Sequence, residues 1–279
     1  MGALSGQVVI VTGAAQGLGL AQARAFAAAG ARVVVNDLGT GPNGDGIDPE
    51  AAARVAAELG DALANTDDAC TRVGAERLVA ETVARFGRVD ALLHNAGWVK
   101  DAPLLEVDDA TFERSTDGLL NGAFRITQAV ARQMVAQGGG GRIVITSSIA
   151  GLLGSAGLPA YGAAKAGIYG FARVASMDLQ PHGITVNVLS PIAYTRLTAG
   201  LPIMQQLPDA QTLLSPDLIA DVTTFLLSDD AADITGAVVH VQGSQLSMMH
   251  MAQTGGALPE QGARWTPAEL KARWVEIAR

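Results

Sequence analysis

The sequence predicts an α/β fold: a doubly wound parallel sheet of about seven strands with helices on both faces. Two observations carry that expectation. Short runs rich in Val and Ile alternate with longer Ala-rich stretches, the order that builds strand–helix–strand units. The strand-like runs are also apolar without a period of two, as strands buried on both faces are. At 279 residues the chain is long enough for one large core.

The strands are expected at residues 8–12, 32–36, 62–65, 90–94, 142–146, 184–189 and 237–241. The helices are expected at 18–29, 49–59, 71–86, 110–137, 159–180 and 216–227. Three segments break the alternation. Residues 39–48 are rich in Gly, Asn and Asp and read as a surface loop after the second strand. Residues 192–214, rich in Leu, Ile, Met and Pro, follow the sixth strand. Residues 248–279 form a tail with a late amphipathic helix at 267–277 carrying Trp274. The division expected is one catalytic domain over 1–250 and a C-terminal extension over 251–279.

Composition excludes several classes. Hydrophobic residues are 49% of the chain and charged ones 16%, too apolar for disorder. The net charge of −8 and the lack of a Lys/Arg cluster argue against a nucleic-acid partner. No apolar run is long enough to span a bilayer. The N-terminus lacks the features of a signal peptide and the final residues are not a peroxisomal address, so the expectation is a cytoplasmic protein without a membrane partner. The single Cys70 reads as a small buried residue, and the four histidines show no metal-ligand spacing.

The first strand runs into TGAAQGLG, with Gly13, Gly17 and Gly19, and then into a helix. Glycine permits positive φ and lets backbone N–H groups approach a pyrophosphate, while the helix N-terminus faces the same anion. A plain Gly-rich turn would look the same locally. Asp37, 18 positions beyond Gly19 at the end of the second strand, shifts the balance. It stands where an acid accepts hydrogen bonds from an adenosine ribose and repels a 2′-phosphate. No Lys or Arg lies between Asp37 and Arg54, so NAD(H) is expected over NADP(H). Gln16 and Leu18 belong to the same turn. Asp67 or Asp68, after the third strand, suits an adenine amino group or, equally, an acidic helix cap. Asn95, Ala96 and Gly97 end the fourth strand and suit the cofactor wall. These features together describe a Rossmann-type dinucleotide site.

Ser148, Tyr161 and Lys165 form the second constellation. Tyr161 and Lys165 are four apart in an expected helix and share a face. Only three lysines occur, against sixteen arginines. Alcohol oxidation requires a base for the hydroxyl proton as hydride leaves. A free phenol, with a pKa of about 10, is too weakly acidic to serve well at neutral pH. An adjacent ammonium is expected to favour the phenolate, and a serine hydroxyl at the strand ends to hold the substrate oxygen.

TGAAQGLG, HNAG, ITSSIAG and YGAAK occur in the order and spacing of the short-chain dehydrogenase/reductase family, and the chain resembles that family over about residues 5–245. Ser148 lies 13 before Tyr161, the separation that the resemblance implies for the site serine, which selects it over Ser147; the resemblance also adds Pro191 and Thr195, after the sixth strand, to the cofactor wall. The resemblance implies that Tyr161 is the acid/base group, that Ser148 orients the substrate and that Lys165 also holds the nicotinamide ribose. It further implies that Asn121, in LLNGAF, holds a water in a proton relay behind the lysine. Residues 33–39, the loop after them and residues 190–198 are similar to the dehydrogenase unit of peroxisomal multifunctional enzymes of type 2 and their bacterial relatives. That resemblance implies a 3-hydroxyacyl thioester or hydroxysteroid substrate. The chain departs from the family at Pro191-Ile192, His94 and Gln242-Gly243-Ser244.

Residues 192–214 are expected to form a lid whose Leu197, Leu201, Ile203, Met204, Leu207, Leu213 and Leu214 face an apolar secondary alcohol. Packing of the lid on the core would use the same side chains. The resemblance implies a homodimer or homotetramer through the helices carrying Asn121 and Tyr161. The rival readings are a 3-oxoacyl reductase, which usually takes NADPH, and a nucleotide-binding regulator without turnover.

Overall fold

The computed structural model describes residues 2–200, 202–260 and 264–278. It divides into a large unit, Met1–Met248, and a small one, Met249–Arg279. In the large unit β1 (Val8–Thr12) leads into α1 (Gly17–Ala28), and β2 (Arg32–Asn36), α2 (Ala51–Leu59), β3 (Ala62–Asn65), α3 (Arg72–Phe86) and β4 (Ala91–His94) follow. Then come α4 (Asp109–Ser115), a π-helical turn (Thr116–Asn121), α5 (Gly122–Gln137), β5 (Gly141–Thr146), α6 (Ile149–Leu152), α7 (Pro159–Leu179) and β6 (Ile184–Ile192). The unit finishes with α8 (Pro202–Gln206), α9 (Ala210–Leu213), α10 (Pro216–Leu227), β7 (Val238–Gln242) and β8 (Gln245–Met248).

Among the described residues eight strands lie in the order β3-β2-β1-β4-β5-β6-β7-β8, all parallel except the antiparallel β7–β8 pair. Helices α1, α2 and α10 cover one face, and α3, α5 and α7 the other. Chain order reverses between β1 and β4, where Thr12 pairs with both Asn36 and His94. Crossovers leave in opposite directions there, so a crevice opens beyond the carboxyl ends of the two strands. Residues of β1, β2 and β4 are buried throughout apart from Arg32, as a sheet covered on both sides demands.

Local chemistry sets the helix ends. Thr71 caps α3 by accepting from Gly74 N, and Gly87, at φ 85°, turns the chain out of it. Ser215 caps α10, with Pro216 at its first turn. The helix expected at 110–137 is instead interrupted by the π turn. Trp98 rests against Gly118, where a Cβ would come within 1.9 Å of a ring carbon, and Gly122 packs on Cys70. These close approaches fall where the helix is interrupted, which no helical pattern announces. β8 was also not expected. It is short and largely exposed, unlike the buried parallel strands, and Gly243, at φ 55°, folds it back on β7.

The small unit contains α11 (Pro267–Ile277), capped by Thr266. Arg273 pairs with Glu269 and Glu276 and lies over the Trp265 ring at 5.3 Å. Among the described residues, no helix is long and apolar enough to cross a membrane.

Phe26 of α1 is fully buried in the core shared with β1, β2 and α2. Phe26→Ala is expected to cost about 3–5 kcal/mol in urea unfolding. A loss below about 1 kcal/mol would mean that this layer is not packed as described.

Candidate active site

The crevice is a cleft of about 530 Å³. Its floor is built where β1 and β4 end. The Thr12 hydroxyl bonds His94 Nδ1 at 2.8 Å and accepts from the N–H groups of Asn95 and Ala96, both at 3.1 Å. His94 is buried, and burial, then the nearby Lys165, lowers its pKa to about 3. The ring is therefore a neutral structural partner. Gly13 has φ +66°, and a Cβ on it would lie 2.9 Å from Ala96 Cα. Gly17 has φ +54°. A Cβ at Gly19 would come within 2.0 Å of Gly13 O, so Gly19 packs helix on turn and does not line the cleft as expected. The N-terminus of α1 opens on this turn.

Asp37 lies in the cleft wall, its Oδ2 accepting from Ala15 N at 2.8 Å and its Oδ1 from Gly39 N at 2.7 Å. Both contacts orient the carboxylate against the glycine turn. The expectation that no cation approaches this end holds along the chain but not in space. Arg196 lines the same cleft and donates to Thr40 O at 3.5 Å. Asp67 and Asp68 also line the cleft, but neither caps α3. Asp67 is held by Asn65 and paired with Arg77, and Asp68 accepts from Cys70 N. Gln16, Leu18, Asn95, Ala96, Gly97, Pro191 and Thr195 complete the expected wall. Positive-φ glycines, a helix N-terminus without acidic residues in its first turn and an acid at the end of β2 suit a dinucleotide.

Ser148, Tyr161 and Lys165 line this cleft too. Ser147 lines it as well, but its hydroxyl donates to Lys165 O at 2.7 Å, whereas the Ser148 hydroxyl caps α6. Lys165 is buried, donates to Thr146 O at 2.9 Å and sits 5.6 Å from the centroid of the Tyr161 ring. The electrostatics differ from the sequence expectation. Desolvation raises the Tyr161 pKa, and the nearby Ser148 hydroxyl only partly opposes it. Lys165 is itself lowered to about 8, chiefly by burial.

Asn121 is not brought to the site. It is exposed, donates to Asp117 Oδ1 at 3.1 Å and does not line the cleft. The inward side chain of that turn is the buried Leu119, whose Cδ2 would lie 3.3 Å from a Cβ on Gly97. The lid also differs. Leu197 lines the cleft, and Met204 and Leu214 are buried, but Leu207 and Leu213 are exposed. Leu201 and the Ile203 side chain lie outside the described residues. Sequence reading missed Trp98, Arg114 and Arg196 in the cleft wall, with Arg114 stacked over Trp98 at 5.5 Å. It also missed Asp101, which accepts from Tyr161 N at 2.8 Å. No local motif marks these residues. Cys70 is buried and its thiol is pushed up to about 12, mainly by desolvation.

The chain belongs to the short-chain dehydrogenase family, whose model matches residues 7–202. It is an oxidoreductase. It is 36% identical over 88% of its length to a 3-oxoacyl-[acyl-carrier-protein] reductase of Synechocystis, covering 99% of that protein. It is 35% identical over 96% of its length to a hydroxyacyl-CoA dehydrogenase of Mycobacterium tuberculosis, covering 87% of it. Peroxisomal multifunctional enzyme type 2 of Drosophila melanogaster is 35% identical over 91% of the chain, which spans 42% of that longer protein. A solved short chain dehydrogenase from Mycobacterium avium superposes with a TM-score of 0.85 at 34% identity, covering 99% of this chain and 96% of that one.

Two outcomes follow from the geometry. Gly13→Ala is expected to weaken dinucleotide binding by tenfold or more, because both φ and the space beside Ala96 forbid a methyl. Gly87→Ala, at a positive φ with no heavy atom near, should cost stability but leave binding intact. Equal binding in both variants, read by calorimetry, would contradict the cradle.

Lys165 tests burial. Below pH 8 it is charged whether folded or unfolded, and burial costs roughly 3 kcal/mol, the free energy equivalent of the fall from 10.5 to about 8. Between those pH values the unfolded chain holds more protons, so wild-type stability rises with pH. Lys165→Met should therefore be more stable than wild type at pH 7, with a gap that narrows as pH rises from 8 towards 10.5. Urea melts showing a gap independent of pH would exclude a strained ammonium.

Proposed function

We propose that the protein catalyses the NAD-dependent oxidation, or the reverse reduction, of a secondary alcohol on an apolar substrate such as a 3-hydroxyacyl thioester or a hydroxysteroid. One observation carries this reading: Ser148, Tyr161 and Lys165 open into the same cleft as the glycine turn and Asp37. When bound there, a nicotinamide accepts or gives the hydride. Gly13, Gly17 and the α1 N-terminus would hold the pyrophosphate, Asp37 the adenosine ribose and Lys165 the nicotinamide ribose.

Tyr161 is the group that moves the substrate proton. In the reductive direction its phenol, kept protonated by desolvation, donates to the forming alkoxide. In the oxidative direction it must first release that proton to solvent, and the phenolate then takes the hydroxyl proton of the alcohol. Ser148 also fixes the substrate oxygen and stabilises charge on it. Asp37 supports NAD over NADP, because a 2′-phosphate would meet its carboxylate. Arg196 is the side chain that could offset this, so the two cofactors must be compared directly. The relatives include enzymes named for hydroxyacyl-CoA and for 3-oxoacyl substrates, and Leu197 and Trp98 give the cleft apolar surface for an acyl or polycyclic group.

A reductive role is the second reading, favoured by the protonated phenol. The exposed Phe124 of α5 and Val174 and Met177 of α7 support a homodimer or homotetramer, which mass photometry tests: a lone monomer peak at micromolar concentration would remove it.

Tyr161→Phe should lower turnover by about 10²–10⁴-fold with coenzyme affinity retained. Wild-type oxidation should rise with pH through the alkaline range as the phenol deprotonates, while reduction falls over the same range. Matching rates for Tyr161→Phe and wild type, or oxidation independent of pH, would contradict this. A higher kcat/KM with NADP would overturn the cofactor assignment alone.

A further inference from the structure

We infer that Asp101 is a positioning residue for Tyr161, a proposal that rests on Tyr161 being the acid/base group. At the first turn of α7 the N–H groups have no partner inside the helix. Leu158 at the cap position offers no side-chain acceptor, and Pro159 has no N–H to satisfy. The first bond within the helix runs from Gly162 N to Leu158 O at 2.8 Å. The N–H of Tyr161 is left to an acceptor from elsewhere, and Asp101 Oδ2 takes it at 2.8 Å, from 60 residues away in sequence. Asp101 Oδ1 accepts from its neighbour Ala102 N at 2.9 Å, which fixes the carboxylate. The negative group also meets the positive end of a 21-residue helix.

The cap comes from a segment that already touches the coenzyme side of the cleft. Asn95 donates to Gly13 O at 3.4 Å, and Ala96 packs on Gly13. Asp101 lies six residues after Asn95, so one short run connects the glycine turn to the backbone of Tyr161. Asp101 thereby sets where the phenol stands relative to Ser148 and the coenzyme. Its loss frees the first turn of α7 and misplaces the phenol without touching the coenzyme cradle.

The test measures kcat, NADH affinity by fluorescence and melting temperature for Asp101→Ala, Asp101→Asn, Asp101→Glu and Ser215→Ala. Ser215 caps α10 outside the cleft and controls for the loss of a helix cap. Asp101→Ala is expected to lose about 10- to 100-fold in kcat with NADH affinity within about twofold of wild type. Asp101→Asn, which keeps an acceptor oxygen, should recover most of that turnover, whereas Ser215→Ala should lose stability only. Asp101→Glu keeps the charge but displaces the acceptor. It should lose turnover several-fold, which keeps the proposal testable if the alanine variant does not fold. Full kcat in Asp101→Ala or Asp101→Glu would overturn the proposal, as would turnover losses that track melting temperature equally in Asp101→Ala and Ser215→Ala. An inactive Tyr161→Phe beside a fully active Asp101→Ala removes the positioning role alone. An active Tyr161→Phe removes the assignment of Tyr161 itself.

Discussion

The closure of β1 on β4 at their carboxyl ends is the constraint on which the cleft depends. One hydroxyl, that of Thr12, binds His94 and the first two backbone N–H groups after β4. This draws the chain after β4 so close to Gly13 that the glycine has no room for a side chain. Sheet topology opens the crevice at this point, because crossovers leave it in opposite directions. The close approach then turns the crevice into a cradle, with Asp37 locked to one side by Ala15 N. A looser junction would lose both the anion-facing turn and the register of the segment that reaches Tyr161.

Burial, more than pairing, sets the proton affinities in the cleft. His94, Lys165 and Cys70 are each displaced towards the neutral form, and desolvation is the first cause in every case. Tyr161 follows the same rule, tempered by Ser148. Lys165 is thus a lysine at a buried position that disfavours its charge. Under the proposed function, a phenol that starts protonated suits reduction and must be brought to the phenolate for oxidation, which would link the direction of the reaction to pH.

The parts legible in the sequence were those written in short spacings. Buried strands show as unbroken apolar runs, the glycine turn as three glycines within seven residues, and the shared face of Tyr161 and Lys165 as a separation of four. Long-range contacts left no such trace. Asp101 meets Tyr161 across 60 residues, and Arg196 reaches Thr40 across 156. The π turn and the start of α5 set Gly118 and Gly122 against Trp98 and Cys70, close contacts invisible in helix periodicity. Asn121 shows the opposite error. A residue of the right type in nearly the right place faces outwards, and Leu119, two positions earlier, takes the inward direction. Leu207 and Leu213 failed similarly, because an apolar composition does not say which face of a short lid helix turns inward.

The most direct measurement is a crystal structure of the protein with NAD and a secondary alcohol. The account predicts a dinucleotide lying from Asp37 across the glycine turn, with the alcohol oxygen hydrogen-bonded by both Tyr161 and Ser148 and its carbon against the nicotinamide. A coenzyme seated elsewhere, or a phenol directed away from the alcohol in that complex, would contradict it.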